Sequence, residues 1–170
     1  METVENVVDL IGAAKANAKT CEDRISEVMN AMGGQTGSIA QIEELRAATV
    51  ALKLVAVDIF SVFEVRMQHH FKRGPFARKL KAKLLDAGKA ELAHRFHQYY
   101  LAINVLKHGT GASFRELRDD QSAGFILRAE DAIIGAGTSE PVGLVDVTVQ
   151  GFFDGLSTTI LDAYGFLEKG

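Results

Sequence analysis

The chain has 170 residues, 47% of them apolar and 24% charged, with 2 Pro, one Cys and no Trp. That length supports one domain with its own core rather than two, and a net charge of −3 excludes a protein whose overall charge draws it to nucleic acid. The single cysteine, Cys21, excludes an intrachain disulfide framework and suits a reducing cytoplasm.

The acidic start METVENVVDL lacks the basic segment of a secretory signal, so none is expected. Scarce Pro and long periodic stretches predict a mainly α protein, a single domain over 1–170. The first helix is expected from about Thr3 to Met32, where Val4, Val7, Val8, Ile11, Ala14, Ala18, Cys21, Ile25, Val28 and Met32 keep three-and-four spacing. GGQTGS at 33–38 reads as a loop, with Ser38 able to cap the next helix.

A second helix is expected from Ile39 to His70. Its middle is apolar nearly all round, which predicts a place in the bundle interior. The run Ala47 to Val65 is the most membrane-like, but Lys53, Asp58 and Glu64 interrupt it, so no membrane span is expected. The adjacent His69 and His70 read as a solvated helix end, since neighbours about 100° apart are poorly placed to face one ligand. Pro75 ends this stretch, and Phe76 to Leu85 form a short basic helix. With Lys72 and Arg73, its Arg78, Lys79, Lys81 and Lys83 offer a solvated face or a phosphate-contacting patch.

Beyond Gly88 comes the stretch richest in chemistry. As a helix, Glu91 to His108 sets Leu92, Phe96, Tyr99, Tyr100, Ile103 and Leu106 on one face, with His94, His97, Leu101, Asn104 and His108 in a wedge beside it. Gly109 ends it. Ser113 and Glu116 have capping-box spacing, predicting a short helix from Phe114 that carries Arg115 and Arg118. Periodicity fails from Ser122 to Pro141, where an irregular excursion or a β-hairpin pairing Phe125–Arg128 with Leu144–Val147 is expected. A last helix begins near Asp146. The fold expected is therefore a helical bundle of four to five main helices with a small excursion near 122–147.

Metal and nucleotide motifs are missing. His97 and His108 stand about 16 Å apart along the helix and cannot share an ion. No HExxH, CxxC or phosphate-loop pattern occurs, so neither metal nor cofactor is expected. Asn104 and His108, one turn apart, instead suit proton transfer at a phosphate, with Lys107, Arg115 and Arg118 nearby to neutralise it. Metal-independent cleavage of RNA by an adjacent 2′-hydroxyl is the matching chemistry. The competing reading is that Asn104 and His108 tie down the following loop.

The segment INVLKH at 103–108 resembles the motif of the HEPN superfamily (higher eukaryote and prokaryote nucleotide-binding), an Arg, a polar residue, three residues and a His late in a long helix. The likeness spans about 39–118 and puts Asn104 and His108 at the polar and His positions. It implies a compact all-α, up-down domain contacting RNA or a nucleotide. Many such domains are ribonucleases of toxin–antitoxin or phage-defence systems, so an antitoxin protein is an implied partner. Their site usually forms where two subunits meet, which implies a homodimer. The Arg position is occupied by Ile103, so Lys107, Arg115 or a partner-chain cation takes its place or the domain is not a nuclease. The alternative is a non-catalytic helical homodimer or adaptor whose Asn/His stripe is structural; the apolar second helix and the aromatics of the fourth favour a dimer on either reading.

Overall fold

A computed structural model describes residues 6–120 and 144–169. Six α-helices run in order among them: α1 Val7–Met32, α2 Ile39–Met67, α3 Phe76–Asp86, α4 Ala90–His108, α5 Ala112–Asp119 and α6 Phe152–Lys169. A single 3-10 turn, Gln68–His70, follows α2. The protein is a helical bundle, as its periodicity predicts.

Local chemistry sets the helix ends. The Asn6 side chain accepts the Asp9 backbone N–H at 2.9 Å, satisfying one of the donors left over at the start of α1. Gly33 closes that helix in the left-handed conformation, at φ 59°, which a side chain would resist. Ser38 does cap α2. Its hydroxyl accepts the Gln41 N–H while its own N–H donates to Gln41 Oε1, a reciprocal capping box.

The six-residue connection between them folds α1 back along α2, and α4 and α6 complete a four-helix core. The short helices α3 and α5 lie against α4. Phe96 of α4 is the hub: its ring stacks on Phe60 of α2 at 5.6 Å and meets Phe63 and Phe76 edge-on at 6.4 Å each. Burying such a side chain contributes roughly 1.5–3 kcal/mol, and edge-to-face pairs add to that.

Two expectations change. The second helix is not interior. It buries Leu52, Ala56, Ile59, Phe60 and Phe63 against the bundle, but Leu54 is 54% and Val65 78% exposed on the opposite side. Eleven residues apart, these two point within about 20° of one another, with Ala47, Val50, Val57 and Ser61 close to the same line. The helix is apolar on two faces, and the bundle covers one. Conversely, the aromatics of α4 are spent inside the chain, since Phe96 and Tyr99 are buried.

The last helix starts at Phe152, later than expected. Asp146 instead accepts the Thr148 N–H and hydroxyl, a local turn that competes with helix. The expected excursion lies outside the described residues except for 144–147, where Leu144, Val145 and Val147 are buried. Tyr99 fastens the start of α6 to α4: its hydroxyl donates to the Phe152 carbonyl at 3.0 Å. The phenol passes so close over Gly155 that a Cβ there would collide with its oxygen. Among the described residues, no helix is long and apolar enough to cross a membrane.

Candidate functional site

The polar wedge of α4 is a seam. His97 Nε2 lies 2.7 Å from Glu116 Oε1 on α5. Asn104 Nδ2 donates to Ser113 Oγ at 3.3 Å, and Gln98 Nε2 donates to Asp120 Oδ2 at 3.1 Å while lying 3.1 Å from His94 Nε2. Leu101, within the same wedge, is buried. Ser113 and Glu116 therefore do not form the expected capping box. Helix α5 begins at Ala112, with Gly111 as its N-cap and no side-chain cap, and both residues turn toward α4 instead.

Beside this seam α3, α4 and α5 enclose a cavity of about 340 Å³. Arg78, Lys81, His97, Tyr100, Ser113 and Glu116 are among its lining residues. The sequence of α3 explains the arrangement: Phe76, Ala77, Leu80 and Leu84 bury one face, leaving Arg78 and Lys81 on its border, one turn apart. Glu116 accepts the Nε2–H of His97, which leaves Nδ1 as the basic nitrogen of the ring. The Tyr100 ring lies 6.1 Å from the imidazole. Two cations, an oriented imidazole and two hydroxyls around one cavity, whose one carboxylate, Glu116, is paired with His97, suit an anion such as phosphate. A larger cavity of about 600 Å³, between α4 and α6, joins Lys89, Asp162 and Lys169 with apolar residues and holds no imidazole.

None of the five predicted site residues lines the cavity between α3, α4 and α5. Asn104 is half-buried and engaged with Ser113. His108 is exposed at the end of α4 and has no hydrogen-bond partner among the described residues. Lys107 is exposed and acts on Glu64 of α2: burial pushes the Glu64 carboxyl above its ordinary range, and the Lys107 charge opposes this. Arg115 is exposed, and Arg118 pairs with its neighbour Asp119 at 3.4 Å and lies over the Phe114 ring. On α5, Arg115 stands about 100° and Arg118 about 160° around the helix from Glu116, which faces α4. Ile103, at the position of the family's Arg, is core, 1% exposed. What sequence reading missed is the pairing of the basic helix with His97 and Glu116. Each part was visible; their adjacency depends on α3 folding back on α4.

No protein-family model, curated protein or solved structure matches the chain.

Proposed function

We propose that this domain contacts RNA or a nucleotide through phosphate at the cavity between α3, α4 and α5. The observation carrying this reading is that Arg78 and Lys81 share that cavity with the His97–Glu116 pair. The two cations neutralise phosphate, and His97, oriented by Glu116, accepts the 2′-hydroxyl proton as that oxygen bonds to the adjacent phosphorus and the P–O5′ bond breaks, the leaving 5′-oxygen taking its proton from water, in metal-independent cleavage of RNA. The resemblance at Asn104 and His108 points to the same ligand class and to a toxin or defence role, with His108 as the rival acid–base. Cys21, free and half-buried, suits a reducing cytoplasm.

The test is anisotropy of a labelled single-stranded RNA, with cleavage followed on the same oligomer. Replacing Arg78 and Lys81 together by Ala should weaken binding and lower the salt slope by about 1.4, at about 0.7 per phosphate contact. His97→Gln should keep binding and lose cleavage, while His108→Ala keeps both. Unchanged binding by the double variant overturns the reading, and loss of cleavage only in His108→Ala moves the chemistry to the end of α4.

A second reading is favoured by the uncovered row on α2. There a second copy of this chain covers Leu54 and Val65, making a non-catalytic helical homodimer or adaptor in which the α4–α5 contacts are structural. Sedimentation checks it: a dimer that Leu54→Glu with Val65→Glu converts to monomer is expected, and a monomeric wild type excludes it.

A further inference from the structure

His69 and His70 do not behave as a solvated α-helix end. The α-helix stops at Met67, and in the 3-10 turn that follows the two rings lie 4.3 Å apart between centroids. Glu168, in the last turn of α6, joins them: its Oε1 is 3.3 Å from His70 Nε2. One ligand atom from each of the three residues lies within 4.8 Å of the others. Sequence spacing hid this group, because its third member is 98 residues away from the second.

We propose that His69, His70 and Glu168 form a binding site for a divalent transition metal, with Zn²⁺ the best match. Two imidazoles and a carboxylate are zinc donors, and tetrahedral bonds of 2.0–2.1 Å set donor atoms about 3.3 Å apart, the separation already held by His70 and Glu168. His69 is prepared for the role. Its Nδ1 lies 2.8 Å from the Arg66 carbonyl, so Nδ1 carries the proton and Nε2 presents its lone pair, the supporting contact that metal-bound histidines use. The carbonyl ends of α2 and α6 converge here, and their partial negative charge favours a cation. His69 is exposed and Glu168 half so, which gives the ion a path in and leaves a coordination position for water or a ligand. The bound ion links the end of α2 to the end of α6.

The experiment uses the full chain without a polyhistidine tag, freed of metal by chelator and titrated with Zn²⁺ by calorimetry. Co²⁺ absorption serves as a second readout. One equivalent of Zn²⁺ should bind and raise the Tm, and Co²⁺ should give the visible bands of a low-coordinate site. Glu168→Gln and His69→Ala should each weaken binding about tenfold or more. His97→Ala, outside the group, should leave it intact. Exposed as they are, Glu168 and His69 can be replaced without loss of fold, which circular dichroism checks. Wild-type protein that takes up no Zn²⁺, or Glu168→Gln and His69→Ala variants that bind it as tightly as wild type, overturn the proposal. So does uptake abolished by His97→Ala alone.

Discussion

Helices α2 and α4 look mismatched to their surroundings. The more apolar of the two leaves a row of hydrophobic side chains in solvent, and the one with three histidines and an asparagine is covered on most of its circumference. The cause is the order of packing. Helix α2 has partners on one side, whereas α4 is held by α2 and α6 and then overlaid by α3 and α5. Polarity on α4 is retained because His97, Gln98 and Asn104 each have a partner across the overlay, as buried polar groups require. Apolarity on α2 is not in itself burial. What a helix face needs is set by what lies across from it.

The comparison can be broken most sharply by truncation. Phe96→Ala should cost about 3–5 kcal/mol, since it removes the hub of the aromatic cluster. Leu54→Ala, on the exposed side of α2, should stay within about 0.5 kcal/mol in a monomer. Denaturant unfolding measures both, and similar losses would mean that the two faces are equally covered. Next in size is Tyr99→Phe. It removes the phenol's hydrogen bond to the Phe152 carbonyl and should cost about 0.5–1.5 kcal/mol. Gly155→Ala, which pushes the same phenol aside, should destabilise in the same direction.

A smaller effect tests the seam. Glu116→Gln exchanges a charge-assisted bond to His97 for a neutral one and should lower stability by about 1 kcal/mol or less, given how exposed the carboxylate is. It should also tighten RNA binding if Arg78 and Lys81 meet phosphate, because one negative charge leaves the cavity; weaker binding would make the His97–Glu116 pair part of recognition. The smallest effect belongs to Glu64. Burial raises its carboxyl above the ordinary 4.5 in the folded chain, so the native state holds that proton more tightly than the unfolded state does. The resulting stabilisation is fully present below the unfolded value and is lost as pH rises through the folded one. Glu64→Gln should therefore flatten the dependence of Tm on pH just above 4.5 and raise Tm slightly at neutrality. An unchanged profile would place the carboxylate in water.

The fold was largely legible because helices are written locally. The three-and-four spacing of Ile11, Ala14, Ala18 and Ile25, the Ser38 cap and the Gly109 stop need no distant partner to be read. The site was less so. His97 and Glu116 are 19 residues apart, and Arg78 and Lys81 come from a third helix, so nothing in local spacing sets them around one cavity. Ser113 and Glu116 show how the rule misleads: the capping-box spacing is present, yet both side chains serve the tertiary seam. His69 and His70 fail for another reason. The expected angle between them is that of a regular α-helix, which stops at Met67, and the two rings meet in the turn beyond it.

The fastening of Tyr99 to Phe152 also gives the molecule an optical gauge. With no Trp in the chain, near-ultraviolet absorption comes mainly from three tyrosines. Burial delays ionisation of the Tyr99 phenol to about 12. Its phenolate band in an alkaline titration therefore reports whether α6 is still seated on α4, without any label.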